Sequence, residues 1–171
     1  MGSPSSSKFA ILGVPETFDL DPEELERRYR ERSREVHPDR FARAPVADRV
    51  KALSEATALN DAFKVLKSPV RRAEHLLELR GQPLGDKEPV PQSFLMKILE
   101  LREALEDAQA AKDEAEVARL ETAMRARFDA ALRRVGQLFA SGGTSEAIKK
   151  ELIDLRYFQR FLDEVTGEEA A

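Results

Sequence analysis

The chain has 171 residues, of which 42% are hydrophobic and 35% are charged, which excludes a disordered chain and favours a folded core with a charged surface. It contains no cysteine, so disulfides, thiolate catalysis and zinc or iron–sulfur sites built on cysteine are excluded. The net charge is −4 and no apolar run approaches the roughly 20 residues that span a bilayer, so we expect a soluble cytoplasmic protein without nucleic-acid or membrane partners.

The N-terminal residues 1–8 predict a short disordered tail, because they are polar and lack the apolar core of a secretory signal. The apolar stretch that follows predicts one short helix that ends near Gly13. Pro15 biases the residue before it away from helical geometry. The tail and this helix therefore precede the first long element.

A second helix is predicted over about 21–36, because Asp21 can cap it and Pro22 suits its first position. Its apolar stripe runs through Leu25, Tyr29, Ser33 and Val36. Its other faces carry five arginines: Arg27, Arg28, Arg30, Arg32 and Arg34. The helix is thus amphipathic, with a basic exposed side.

A third helix is predicted over about 46–67, after a loop that begins at His37 and Pro38 and runs to Pro45. Its expected inner stripe has helical spacing and consists of Val50, Leu53, Ala56, Asn60, Phe63 and Leu66. The helical pattern restarts after Pro69 and ends at Gly81.

Residues 81–93 concentrate glycine and proline and predict a linker between two domains, 9–80 and 94–171. The charges differ on its two sides: residues 1–80 hold 15 Lys and Arg against 14 Asp and Glu, and residues 81–171 hold 13 against 18. This asymmetry indicates different partners for the two halves.

Three antiparallel helices are predicted after the linker. One break is expected near 110–113, where Asp113 can cap a new helix, and one turn at 141–146. The last helix begins with Thr144 or Ser145 as its cap and runs to about 165. With no strand-like alternation anywhere, the sequence predicts an all-α fold whose second half is a three-helix bundle.

The His37-Pro38-Asp39 tripeptide has several interpretations on local sequence alone. It can be an interhelical turn, in which Pro38 ends a helix and Asp39 bonds to backbone. A metal site needs at least three converging ligands and finds only two here. Acid–base catalysis needs a pocket and a nucleophile or polarising group, and none is evident. A protein-recognition surface is the fourth interpretation.

The stretches "KFAILGVPETFDLDPEELERRYRERSREVHPDRF" and "ALNDAFKVLKSPVRRAEHLLELRG" resemble the J-domain family. The resemblance implies a short first helix and an antiparallel hairpin whose tripeptide, His37, Pro38 and Asp39, contacts the ATPase domain of a DnaK-type chaperone and stimulates ATP hydrolysis. It further implies that the basic residues of the preceding helix dock on an acidic chaperone surface. Arg40 stands where many J-domains carry lysine, and keeps the positive charge.

The second half, with "FLMKILELREALEDA", is similar to the HscB-type co-chaperones of iron–sulfur cluster assembly. That resemblance implies a dedicated HscA-type chaperone as one partner and an IscU-type scaffold protein as the other. The scaffold would dock on one face of the first long helix and on an aromatic of the last helix. The matching positions are Leu95, Met96, Leu99, Glu100, Glu103, Asp107 and Tyr157 or Phe158.

The helix face beginning at Leu95 can also be interpreted as ordinary core with a solvated acidic end. Its steps of four residues follow one helical side that starts apolar and turns acidic, whereas Ile98, Leu101 and Leu105 can form the core on the adjacent side. The family resemblance favours the contact surface. We therefore expect a co-chaperone with no cofactor, no metal and no enzymatic activity of its own.

Two rival functions remain open from the sequence. One is a general J-domain co-chaperone that binds unfolded polypeptides through an apolar groove. The other is a helical adaptor that uses its C-terminal hairpin for self-association.

Overall fold

Residues 7–167 are described by the computed structural model, and within this range the chain forms seven α-helices and no strand. The helices are α1 (Lys8–Leu12), α2 (Pro22–Glu35), α3 (Val46–Lys67), α4 (Pro69–Leu79), α5 (Gln92–Ala110), α6 (Glu114–Ala140) and α7 (Ser145–Thr166). They separate into two compact units that divide between Pro83 and Leu84. The predicted all-α fold is confirmed.

The helix ends follow the capping residues of the sequence. The Asp21 carboxylate accepts the N–H of Glu23 at 3.0 Å at the start of α2, and Asp113 and Thr144 cap α6 and α7 in the same way. Gly13 ends α1 with a φ of 67°, a left-handed conformation that glycine adopts without a steric penalty. These caps explain why the predicted helix limits agree with the observed ones to within a few residues.

Two predicted boundaries need correction. Lys8, assigned to the disordered tail, is the first residue of α1, because its N–H donates to the ring of His75 and so fixes the start of the helix. Residues 1–6 of that tail lie outside the described residues. Helix α5 begins at Gln92, inside the predicted linker 81–93, because Pro91 serves as its N-cap.

The core of the first unit forms where α1, α3 and α4 meet. Phe9, Leu12, Leu66 and Leu77 are almost completely buried. His75 of α4 is also buried: its Nε2 accepts the Lys8 N–H at 3.1 Å, and its ring stacks on Phe9. A five-residue helix is too short to be stable alone, so this docking holds α1 in place.

Helices α2 and α3 lie antiparallel, and their register is fixed by side chains. The Tyr29 hydroxyl donates to Asn60 at 2.7 Å, and the Tyr29 ring stacks on Phe63 with centroids 4.1 Å apart. The last turn of α2 shares a groove with the middle of α3, where Val36 lies near Leu59. Because α3 has 22 residues and α2 has 14, α3 is longer by about 12 Å.

The predicted inner stripe of α3 is wrong at its N-terminal end. Val50 and Leu53 are 62% and 60% exposed, whereas the buried side carries Ala52 and Leu59. The helical period was assigned correctly, but Val50 and Leu53 lie on the side of α3 that is turned away from Ala52 and Leu59.

The second unit is a three-helix assembly in which α6 and α7 share the most extensive contact. Leu120, Met124 and Val135 of α6 are buried, as are Ile148 and Phe161 of α7. Glu151, also buried, pairs with Arg134 Nε at 3.1 Å, and this contact raises the pKa of Arg134.

Helix α5 completes the second unit with one apolar side. Ile98 and Leu105, two of the predicted core positions, are buried, and Ala108 is buried with them. None of the helices between residues 7 and 167 is long and apolar enough to cross a membrane.

Candidate functional site

The loop of residues 37–45, called the HPD loop below, opens with a short 3-10 turn, Pro38–Phe41. His37 is the N-cap of this turn, and its Nδ1 accepts the N–H of Asp39 at 3.3 Å. The neutral ring therefore carries its proton on Nε2. Both side chains are exposed, so a turn fixed by Pro38 and a local hydrogen bond presents an imidazole and a carboxylate to solvent.

The surroundings of the HPD loop are polar and basic. Asp39 Oδ2 lies 3.6 Å from His37 Nδ1, and the groove beside the imidazole is lined by Ser33, Arg34 and Arg40. Across residues 7–167, no three His, Asp or Glu side chains converge closely enough to hold a metal ion.

The predicted basic side of α2 is a lattice of ion pairs. Arg27 Nη1 lies 2.6 Å from Glu31, and its Nη2 lies 2.7 Å from Glu24. Glu24 also meets Arg28 at 3.0 Å. Hydrogen bonding to Arg27 and then to Arg28 holds the pKa of Glu24 below its ordinary value, and the same contact with Glu24 raises the pKa of Arg27. Most of the charge on this face is therefore neutralised within the helix.

Two further arginines of α2 are paired along the helix. Arg30 lies 2.8 Å from Glu26, and Arg32 lies 3.6 Å from Glu35. All of these pairs are three or four residues apart. Sequence reasoning counted the arginines but did not pair them with their glutamates, although the spacing was visible.

Four arginines in and around the HPD loop differ from those of the paired lattice. Among the described residues, no carboxylate lies within ion-pair distance of Arg34, Arg40, Arg43 or Arg49. Arg40 Nη1 instead donates to the backbone carbonyl of Arg34 at 3.2 Å, which holds its guanidinium against the end of α2. Free positive charge thus lies beside the tripeptide and not along the whole helix.

The second candidate surface is the exposed face of α5. Leu95, Met96 and Leu99 are 40%, 56% and 56% exposed, so these side chains are not part of the core of this chain. Three exposed carboxylates continue the same side of the helix: Glu100, Glu103 and Asp107. We call these six residues the α5 face.

The carboxylates of the α5 face are largely free. Lys97 lies 3.9 Å from Glu100. In the described part of the chain, no cation lies within ion-pair distance of Glu103 or Asp107. The face therefore offers an apolar start and an anionic end to a partner.

The two aromatic candidates on α7 differ in burial. Phe158 is only 6% exposed and packs near the Phe94 ring, so its assignment to a partner contact needs correction: it belongs to the core. Tyr157 is half-buried, meets Phe94 edge-on with centroids 5.5 Å apart, and keeps part of its ring accessible. Tyr157 is the aromatic that a partner can reach.

The chain matches two family models, one in each unit. Residues 7–75 match the DnaJ domain, and residues 90–166 match the HSCB C-terminal oligomerisation domain. The co-chaperone protein HscB homolog of Paraburkholderia phymatum is 36% identical over 167 residues, which cover 96% of this chain and 95% of that protein. The chain belongs to the HscB co-chaperone family.

Further relatives of the HscB family agree in sequence and in structure. Co-chaperone protein HscB of Proteus mirabilis is 38% identical over 128 residues, 71% of this chain and 74% of that protein. Chaperone HscB from Vibrio cholerae superposes with a TM-score of 0.82 at 33% identity, over 94% of this chain and 96% of that one. Human co-chaperone protein HscB superposes with a TM-score of 0.88 at 26% identity, over 98% of this chain and 84% of that one.

Each candidate surface lies in one of the two domains that define the HscB family. The HPD loop lies in the J-domain match and the α5 face in the C-terminal match. HscB proteins form a co-chaperone family and not an enzyme family, and the J-domain implies a partner of the Hsp70 class. A role in iron–sulfur cluster assembly follows from the family.

Two features of this HscB family member were missed by sequence reasoning. One is the exposed apolar part of α3. The other is an open groove of about 800 Å³ in the second unit, lined by Pro89, Phe94 and Ile153 among others. Burial raises the pKa of Asp154 at this groove, partly offset by Lys150 at 3.3 Å. In the sequence, the groove is indicated only by Pro89 and Pro91, which precede α5 and line the groove.

Proposed function

We propose that the protein stimulates ATP hydrolysis by a dedicated DnaK-type chaperone of the HscA type and delivers an IscU-type iron–sulfur scaffold to it. The HPD loop would engage the ATPase domain of the chaperone, and the α5 face would hold the scaffold. The observation that carries the proposal is the presence of two exposed surfaces of different chemistry, one in each unit.

The geometry of the HPD loop supports its part of the proposal. Pro38 and the hydrogen bond between Asp39 N–H and His37 Nδ1 hold the turn in one shape, so little conformational entropy is lost on docking. Neither side chain has the neighbours that acid–base catalysis requires. The HPD loop therefore acts on the partner, and the phosphate bond is cleaved there.

The unpaired arginines support an acidic docking partner. Arg34 and Arg40 lie beside His37 in one groove, and their charge is not cancelled by a neighbouring carboxylate within the described chain. Unpaired surface charge speeds and orients the encounter with a partner of opposite sign, and salt weakens this effect. The paired arginines of α2 contribute less to the positive electrostatic potential that a partner meets.

The α5 face supports the scaffold-binding part. Exposed Leu95, Met96 and Leu99 lose water on docking, which gives affinity without requiring precise geometry. Methionine adapts its shape to a partner surface. The free carboxylates at the other end of the face add specificity for a partner with basic residues.

The test is steady-state ATP hydrolysis by the cognate chaperone with increasing amounts of this protein. His37→Gln and Asp39→Asn should each remove the stimulation, because they change the exposed groups of the turn and lie outside every α-helix. Arg71→Gln, an exposed change on α4 outside both surfaces, is the matched control and should stimulate normally. Normal stimulation by both HPD-loop variants would contradict the proposal.

The rival function is a general J-domain co-chaperone that binds unfolded polypeptides. It predicts that the protein suppresses aggregation of unrelated unfolded proteins and shows no preference for the scaffold. Competition between the purified scaffold and a reduced, unfolded protein for binding to this chain separates the two functions. Preference for the scaffold is the result expected here.

A further inference from the structure

The sulfur atoms of this chain belong to three methionines, because the sequence contains no cysteine. Peroxides oxidise sulfur before most other side-chain atoms, so in a chain without thiols they act first on methionine. The three residues are Met1, Met96 and Met124, and Met1 lies outside the described residues. The two described methionines can therefore be compared as targets of oxidation.

Met96 and Met124 differ sharply in exposure. The Met96 side chain on α5 is 56% exposed, whereas Met124 on α6 is 1% exposed and belongs to the core of the second unit. An oxidant must reach the sulfur atom to react with it. We therefore expect Met96 to be oxidised readily and Met124 to be protected by the side chains around it.

Met96 lies in the apolar half of the α5 face. Leu95 precedes it, and Leu99 follows three residues later on the same side of the helix. In the proposed function, the affinity for the scaffold comes from burial of these exposed apolar side chains. The accessible sulfur of the second unit is thus part of the surface that must lose water when the scaffold docks.

Oxidation of Met96 by a hydroperoxide is a transfer of one oxygen atom. The O–O bond of the hydroperoxide breaks, an S–O bond forms, and the sulfur loses two electrons. The proton of the transferred oxygen moves to the leaving oxygen, so hydrogen peroxide is reduced to water. The product is methionine sulfoxide, which is polar and chiral where the thioether was apolar.

The neighbours of Met96 on the α5 face offer no hydrogen-bond donor to a sulfoxide oxygen. Leu95 and Leu99 are apolar, and an ionised Glu100 only accepts hydrogen bonds. The nearby Lys97 ammonium lies 3.9 Å from the carboxylate of Glu100. A sulfoxide covered by an apolar partner surface would therefore lose its water without a replacement hydrogen bond, which opposes binding.

We propose that Met96 is a reversible modification site, at which oxidation to the sulfoxide by peroxides releases the iron–sulfur scaffold and leaves ATPase stimulation intact. This inference rests on the proposed function, because it regulates the α5 face. Residues 7–83, which include the HPD loop, contain neither methionine nor cysteine, so the first unit has no sulfur there to oxidise. Methionine sulfoxide reductases restore the thioether and with it the docking surface.

The experiment uses the full chain treated with hydrogen peroxide until peptide mass spectrometry finds the sulfoxide at Met96. Catalase then removes the peroxide before the scaffold is added, so that the scaffold itself is never oxidised. Isothermal titration calorimetry should give a scaffold affinity about tenfold weaker than that of the untreated protein. Treatment with both methionine sulfoxide reductases should restore the affinity, and stimulation of the chaperone ATPase should be unchanged throughout.

Two single variants form the matched pair. Met96→Leu removes the accessible sulfur and keeps an apolar side chain, so its scaffold affinity should be the same before and after peroxide. Met124→Leu is a volume-conserving change in the core and retains Met96, so peroxide should weaken its scaffold binding as in wild type. Circular dichroism should show equal helicity before and after treatment, because the oxidised side chain is exposed.

Three results would overturn the inference. Scaffold affinity could stay unchanged although the sulfoxide at Met96 is present, or Met96→Leu could lose as much affinity to peroxide as wild type does. Peroxide could also lower the helicity in parallel with the affinity, which would place the damage in the fold. If the untreated protein binds the scaffold, any of these results defeats only the role of Met96. If the untreated protein does not bind the scaffold, the scaffold-binding part of the proposed function fails and the inference fails with it.

Discussion

The HPD loop and the α5 face are both exposed, but different interactions hold them in place. The HPD loop is an irregular turn in which a proline and one local hydrogen bond fix two polar side chains. The α5 face is one side of a regular helix whose other side is anchored in the core by Ile98 and Leu105. The first depends on local backbone geometry and free charge, and the second depends on the tertiary packing that keeps its helix in place.

This difference predicts which mutations should disturb each surface. The turn of the HPD loop is held by a local hydrogen bond and by packing against α3 within the first unit, so we expect it to keep its shape when the core of the second unit is disturbed. A helix face keeps its orientation only while the bundle behind it is intact. Changes to the core of the second unit should therefore damage scaffold binding and spare the HPD loop.

The largest effect is expected from Phe161→Ala in the core of α7. Phe161 is 1% exposed, so its loss should lower the free energy of unfolding of the second unit by about 3–5 kcal/mol. Thermal unfolding followed by circular dichroism measures this change. Stimulation of the chaperone ATPase by the folded J-domain should persist. A parallel loss of stimulation would show that the HPD loop depends on the second unit after all.

A smaller effect is expected from replacing Leu95, Met96 and Leu99 together with alanine. Because their exposed apolar surface would be buried by the scaffold, scaffold affinity should fall about 100-fold, as measured by isothermal titration calorimetry. Basal stimulation of the chaperone should stay normal.

The helicity of this triple variant tests the exposed assignment of the α5 face. Alanine is a good helix former, so circular dichroism should match wild type. A large loss of helicity would instead mean that these side chains support the fold. Val50→Ala, an equally exposed apolar change in the first unit, is the control and should leave scaffold affinity unchanged.

The smallest effect is expected from a matched pair of arginine changes on α2. Arg34→Ala removes free charge beside His37, whereas Arg30→Ala removes a guanidinium already paired with Glu26 at 2.8 Å. At low salt, Arg34→Ala should slow association with the chaperone by a factor of about 3–10, and Arg30→Ala should change it less. Stopped-flow binding measures both rates.

Repeating the two rate measurements at higher salt concentration completes that test. The difference between the two variants should shrink as ionic strength rises, because exposed charges are screened beyond about 10 Å at 0.1 M salt. Scaffold binding through the apolar half of the α5 face should depend on salt less strongly. Equal rates for both variants at low salt would contradict the role assigned to free charge.

Much of the fold was accessible from local sequence signals. Asp21 with Pro22, Asp113 and Thr144 begin helices where capping chemistry predicts, and Pro38 ends α2 where the ring geometry of proline requires. These signals act within a few residues and need no tertiary partner. The residues assigned to the two candidate surfaces stay predictions, and Phe158 among them is buried.

Other features depended on what packs against what. The helical period places Val50 and Leu53 on one stripe, but only the packing of α3 decides that Ala52 is buried and that this stripe is exposed. Tyr157 and Phe158 are neighbours in sequence, and the packing of α7 against Phe94 decides which one is buried.

The sequence by itself determined the helices, their ends and the residues that carry charge, because capping, proline geometry and helical period are local. Only the tertiary structure decided which apolar residues are buried and which arginines are free. An apolar side chain is buried only where another element packs against its side of the helix. An arginine stays free only if no carboxylate lies within ion-pair distance of it. In this protein, exposed apolar residues lie both near the HPD loop in the first unit and on the α5 face in the second.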